Sequence, residues 1–232
     1  MPLREFPAPR SSAWVENARA WLASPGEPLV PRGAATVLVV RDTPLGPVVF
    51  VQRRVPTMEF APSMYVFPGG GVDAADAEAE VDAGAVEALA ARMQLSAAEA
   101  KPLVAAAIRE VEEECGLQLR LADLVPRAHW ITPAFEKRRY DTWFFAAPMP
   151  EGQSALGAST ETDHDAWVLP RSLLTAYAEG RAVMLPPTVV MLEQLATFES
   201  VAAFLSDSPA LTAVSPDLVD LGDRLVVRSD IP

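Results

Sequence analysis

Arg109-Glu110-Val111-Glu112-Glu113-Glu114-Cys115-Gly116-Leu117 gathers four carboxylates and one guanidinium into a short stretch. The apolar run Leu103 to Ile108 before it reads as helix, and Gly116 followed by Leu117 is a helix stop: a left-handed residue, then an apolar contact. The acids therefore occupy the last turns, where the helix already carries partial negative charge. Neighbouring carboxylates also repel there, and each effect costs about a few tenths to 1 kcal/mol. A bound cation would offset both. Glu110, Glu113 and Glu114 stand at i, i+3 and i+4 and share one face, whereas Glu112 points elsewhere. Three oxygen donors with no thiolate or imidazole on that face suit a hard divalent ion, Mg2+ or Mn2+. Arg109 lies one turn before Glu112 and Glu113, where its planar fork can orient carboxylates. An acidic helix end on its own is most often a solvated face, so the surrounding elements decide.

The segment Met64-Tyr65-Val66-Phe67-Pro68-Gly69-Gly70-Gly71-Val72-Asp73 is a short apolar strand that breaks into proline and three glycines. Glycines let a backbone approach a ligand or metal closely, so an amide or carbonyl of this loop can join a site.

The glycine loop followed by Arg-Glu-x-x-Glu-Glu-x-Gly and an apolar residue resembles the signature of the Nudix hydrolases. In that signature the first glycine is followed after five residues by Glu, and after seven more by Arg-Glu. Here Gly70 stands at the glycine, Asp76 at the expected Glu, and Arg109 arrives much later. The Ala- and Glu-rich segment 77–102 has helical periodicity at Val81, Val86, Leu89, Ala90 and Met93, and reads as inserted helices. A split box of this kind is similar to that of the coenzyme A diphosphatase subgroup. His129-Trp130-Ile131-Thr132-Pro133, then Arg138 to Phe145, Trp167 and Leu185-Pro186-Pro187-Thr188 follow in the same order.

The resemblance implies an α/β/α sandwich around a mixed sheet, with extra helices inside the box and at the termini. It implies an N-terminal helix and Pro-rich connector over 1–33, a hydrolase domain over 34–206, and a C-terminal extension over 207–232 packed on the same domain. It further implies a metal held by Glu110, Glu113, Glu114 and the backbone of Gly70, with Gly69 and Gly70 near the substrate. Glu161, six residues before Trp167, is the expected further catalytic carboxylate, with Asp163 and Asp165 as rivals. The expected reaction is hydrolysis of a diphosphate bond. Coenzyme A or an acyl ester leads, giving a phosphopantetheine and adenosine 3′,5′-bisphosphate. ADP-ribose, a dinucleotide or a nucleotide sugar is the alternative, and a non-catalytic ligand-binding domain of the same family is a third reading.

Composition bounds the partners. The 232 residues, half of them hydrophobic, suffice for one sizeable core. A net charge of −12 argues against a nucleic-acid backbone as partner. A small anionic substrate needs only local basic groups, and Arg53, Arg54, Lys137, Arg138 and Arg139 are available in two clusters, although strand neighbours such as Arg53 and Arg54 face opposite ways. Trp143 is a candidate for stacking on a base, together with Trp130 and Phe144. No apolar run reaches membrane-spanning length and no export signal opens the chain, so a cytoplasmic protein is expected, with a homodimer as a candidate assembly. Cys115 is the single cysteine and sits at a variable position of the box; a nucleophilic role is not expected. His129 and His164 have no partner constellation in the sequence.

The elements that must position these groups follow from periodicity and breakers. A helix is expected over 11–23 and strands over 35–41 and 48–54 around the turn Asp42-Thr43-Pro44-Leu45-Gly46. Strands are expected over 64–67, 140–147 and 166–169, the second apolar on both faces and hence central, with helices over 171–178 and 188–205.

Overall fold

The computed structural model describes residues 3–7, 12–57, 61–155 and 162–231. In chain order the elements are β1 (Leu3–Pro7), α1 (Ser12–Ala23), β2 (Arg32–Thr43), β3 (Gly46–Arg54), β4 (Tyr65–Val66), β5 (Gly69–Gly71), α2 (Ala74–Glu78), α3 (Ala83–Met93) and α4 (Ala97–Cys115). There follow β6 (Val125–Ile131), β7 (Tyr140–Pro148), β8 (Thr162–Val168), α5 (Pro170–Ala178), α6 (Pro186–Leu195), α7 (Val201–Ser206), β9 (Ala213–Val214), β10 (Asp217–Asp220) and β11 (Leu225–Asp230).

The main sheet runs β4-β3-β2-β7-β6-β9, with β5 paired to β2 and β8 to β3. It is mixed: β2 runs parallel to β7, and β6 to β9, while the other pairs are antiparallel. Alternation along the central strands sends side chains to two cores. Ala35, Val37, Val39, Phe50, Trp143 and Phe145 pack beneath α3 and α4. Leu38, Val40, Val49, Val51 and Phe144 pack with α5, α6 and α7 on the other face. Both faces are covered, which is why the central strands read as continuous apolar runs. This is the α/β/α sandwich with a mixed sheet.

Helix α4 starts at a capping box: the Ser96 hydroxyl accepts from the Glu99 amide at 3.3 Å, and the Glu99 carboxylate accepts from the Ser96 amide at 2.9 Å. It ends at Gly116, with φ +67, and Leu117 is fully buried beyond it. The helix begins at Ala97, inside the segment 77–102 read as an insertion, whose remainder holds the end of α2 and all of α3.

Two expectations change. The single helix over 188–205 is two helices, since Ser200 caps α7 by accepting from the Ala203 amide at 3.2 Å. The chain's two ends form a second sheet, β1-β11-β10, that periodicity over such short runs did not signal. The helix over 11–23 begins at Ser12, and Gly46, at φ +108, closes the β2–β3 hairpin.

Candidate active site

The glycine loop is threaded against β2. Gly69, Gly70 and Gly71 pair with Thr36, Ala35 and Ala34, and the Val37 amide donates to the Pro68 carbonyl at 2.8 Å. Gly69 sits at φ +154, and a Cβ there would fall 2.3 Å from the Ala35 carbonyl oxygen. At Gly70 a Cβ would lie 2.3 Å from Oε1 of Glu110. The strand β2 excludes a side chain at Gly69, and the Glu110 carboxylate of α4 excludes one at Gly70.

Glu114 is buried and accepts a hydrogen bond from the Gly69 amide at 3.0 Å. Glu110 is half-buried; burial raises its carboxyl above the usual range, with Arg109 opposing the shift. Arg109 joins the parts. Its guanidinium donates to Glu110 at 2.8 Å, Glu113 at 3.2 Å, the Gly71 carbonyl at 3.0 Å and both oxygens of Asp76 at 2.9 and 3.0 Å. Bonding to Asp76 above all, against the cost of burial, raises the Arg109 pKa, so the group stays charged. Burial alone would raise the Asp76 carboxyl, yet Arg109 and the Asp73 amide hold it below the usual range. Asp76, at the position where Glu was expected, is thus the buried counter-ion of Arg109.

Glu110, Glu114, Gly69, Gly70, Gly71 and Arg54 line one cavity of 1230 Å³. Its far wall is Thr36, Thr142 and Phe144 of the sheet, Trp130, and the segment from Ala182 to Thr188. Glu113 does not reach it: 59% of its side chain is exposed and it leans on Arg109. Glu112 is exposed and turned toward Gln118, at 3.4 Å.

Other expected contacts fall elsewhere. Arg53 points away from the cavity and pairs with Asp163 at 2.7 Å, as the strand alternation against Arg54 requires. Arg139 donates to the carbonyls of Thr132 and Leu29 and ties the connector before β2, while its neighbour Arg138 lines the cavity. Trp143 is buried under α4, stacked on His129 at 4.3 Å, and Phe144 instead faces the cavity. His129 bonds Asp141. Glu161 lies outside the described residues. Asp165 pairs across strands with Gln52 and accepts from the Thr162 hydroxyl at 3.4 Å. Burial pushes the Cys115 thiol up, which leaves no thiolate for nucleophilic attack. Glu136 also lines the cavity, and no spacing rule in the sequence singled it out.

Among the described residues no three His, Cys, Asp or Glu side chains already converge as a metal cluster. The donors nonetheless suit a divalent ion: two carboxylates on one wall, oxygen chemistry throughout, and a backbone kept free of side chains at Gly70, where a Cβ would overlap Glu110.

No curated protein matches the sequence. Among solved structures, the chain is similar to a NUDIX hydrolase from Alicyclobacillus acidocaldarius, with a TM-score of 0.65 and 24% identity over 77% of this chain and 96% of that one. It is also similar to a MutT protein from Bacillus halodurans, with a TM-score of 0.50 and 14% identity over 84% of this chain and 94% of that one. At such identities both likenesses concern the fold. The family model described as NUDIX domain matches residues 30–186, well over half of the chain, so the protein belongs to the Nudix family and is a pyrophosphohydrolase of nucleoside diphosphate derivatives.

Proposed function

We propose that the cavity hydrolyses the diphosphate bond of coenzyme A or an acyl ester, giving a phosphopantetheine and adenosine 3′,5′-bisphosphate. The observation that carries this reading is the placement of Glu110 and Glu114 beside the glycine loop on the wall of a 1230 Å³ cavity. That volume exceeds the roughly 300–1,000 Å³ of pockets for drug-sized ligands and suits a long substrate with an apolar arm. Met184, Leu185, Pro186 and Pro187 offer the apolar wall, and Arg54 and Arg138 lie where phosphate oxygens can meet guanidinium.

Glu110 and Glu114, with Glu113 turning inward and the Gly70 backbone, would hold Mg2+ or Mn2+. A divalent ion supplies neutralisation of the diphosphate oxygens and a more acidic water. Glu110, kept ionised by that ion's charge, would accept the proton of the attacking water. Water adds to phosphorus, the bridging P–O bond breaks, and the bridge oxygen leaves on a phosphate monoester. Arg109 holds Glu110 in place, and the Gly69 amide fixes Glu114. Glu161 remains the proposed further carboxylate.

The test is a panel of coenzyme A, acetyl-coenzyme A, ADP-ribose, NADH and a nucleotide sugar, with Mg2+ or Mn2+ and identification of products. Coenzyme A and its ester are expected to turn over with the highest kcat/KM. Intact coenzyme A beside rapid cleavage of another member would overturn the substrate assignment.

A further inference from the structure

The loop between β6 and β7 brings one more carboxylate to the cavity. Glu136 lines it together with Glu110 and Glu114, on a loop that α1 pins in three ways. The Trp14 indole N–H donates to Oε1 of Glu136 at 2.8 Å. The Trp14 ring meets Phe135 edge-on at 5.2 Å, and the Asn17 amide donates to the Phe135 carbonyl at 3.3 Å. Phe135 itself is buried with Ala18 and Leu225 in a small core of its own. The carboxylate is therefore presented by a fixed scaffold.

What it faces decides its use. Among the described residues no guanidinium, ammonium or imidazole pairs with Glu136, and burial raises its carboxyl with only the Trp14 indole opposing. A carboxylate accepts at about four lone-pair sites, and one indole uses one of them. An anion placed so repels phosphate, and a group left without enough donors in a desolvated wall is costly. A ligand that brings an N–H or O–H to that wall removes the cost. An analogue lacking the donor is disfavoured, because the half-buried carboxylate then keeps only the Trp14 indole as donor.

We propose that Glu136 is a specificity-determining residue of this cavity: its carboxylate accepts a hydrogen bond from an N–H or O–H on the non-phosphate part of the substrate. The proposal rests on the reading of the cavity as a nucleotide-diphosphate site. Glu136 selects the organic portion, the carboxylates of α4 handle the diphosphate, and repulsion by Glu136 orients the ligand between them. Trp14 is its positioning residue.

The experiment is calorimetric binding in a Glu114→Gln background, which keeps each ligand intact, with Mg2+ and four probes: coenzyme A, ADP-ribose, NADH and inorganic pyrophosphate. Glu136→Ala is expected to weaken the tightest-binding nucleotide about tenfold or more while leaving pyrophosphate unchanged, since pyrophosphate has no organic donor. Trp14→Phe keeps an aromatic ring beside Phe135 but removes the indole N–H, and is expected to shift the same nucleotide in the same direction by a smaller factor, again sparing pyrophosphate. Nucleotide affinity unchanged in Glu136→Ala, or equal loss for all four probes, overturns the assignment of Glu136 alone. Failure of all three nucleotides to bind protein that still binds pyrophosphate overturns the nucleotide reading and Glu136 with it.

Discussion

The Arg109 guanidinium is divided among five oxygens, two of them on Asp76, whose side chain is only 3% exposed. That pair is the hidden support of the site. Because the folded Asp76 carboxyl is held below its ordinary value, its contribution is fully present above the unfolded value, about 3.9, and is lost as pH falls through the lower folded one. Asp76→Asn is expected to cost about 1–3 kcal/mol at neutral pH. In denaturant melts the gap between variant and wild type should close below about pH 4; a constant gap would show that Asp76 does not act through its charge. Gly70 makes the complementary case. Gly70→Ala would drive a methyl to 2.3 Å from Glu110, and a displacement near 1 Å in such a group costs about a hundredfold in rate. Steady-state kinetics should show that loss in kcat with a smaller change in thermal stability. The sequence pointed to Arg109, Glu110 and Glu114 because helical spacing is a local property. It could not rank Glu113 below them, since that depends on Arg109 drawing its carboxylate outward, nor place Trp143, whose face depends on which side of the sheet α4 covers.

Helix α4 is the element that carries the candidate site; its end was readable, whereas its start lay inside the segment read as inserted helices. Ser96 with Glu99 begins it and Gly116 with Leu117 ends it, through bonds between residues no more than a few positions apart. Gly116 holds φ +67 with open space around its Cα, so Gly116→Ala meets no steric clash and pays only for the left-handed backbone. The expected loss is about 1 kcal/mol, or about 2–4 °C in Tm for a chain of this size, with kcat unchanged. A fall in kcat at preserved stability would mean that the helix end moves during turnover. The β2–β3 hairpin and the central place of β7 were likewise visible, the first from its turn and the second from its two apolar faces. The split of the last helix, the terminal sheet and the pinning of the 132–139 loop by α1 were not. The sheet and the pinning rest on contacts between residues far apart in the chain, Trp14 with Glu136 and β1 with β11, while the split turns on the local Ser200 cap inside an otherwise apolar run.

At the scale of the whole molecule, one sheet serves two purposes. Its α4 face buries the hydrophobic set that anchors the carboxylate helix, and its other face, with Thr36, Thr142 and Phe144, lines the candidate cavity. The glycine loop on β2 joins the two, which is why it tolerates no side chain at Gly69 or Gly70. Among the described residues no helix is long and apolar enough to cross a membrane. The central claim is that the α4 carboxylates beside this loop form the hydrolytic centre. The direct measurement is Mg2+-dependent turnover of coenzyme A by wild type and Glu114→Gln, followed by product formation, with circular dichroism on both. The expected result is metal-dependent release of adenosine 3′,5′-bisphosphate by wild type and a loss of at least about a hundredfold in a folded variant. Equal rates in the two proteins would contradict it.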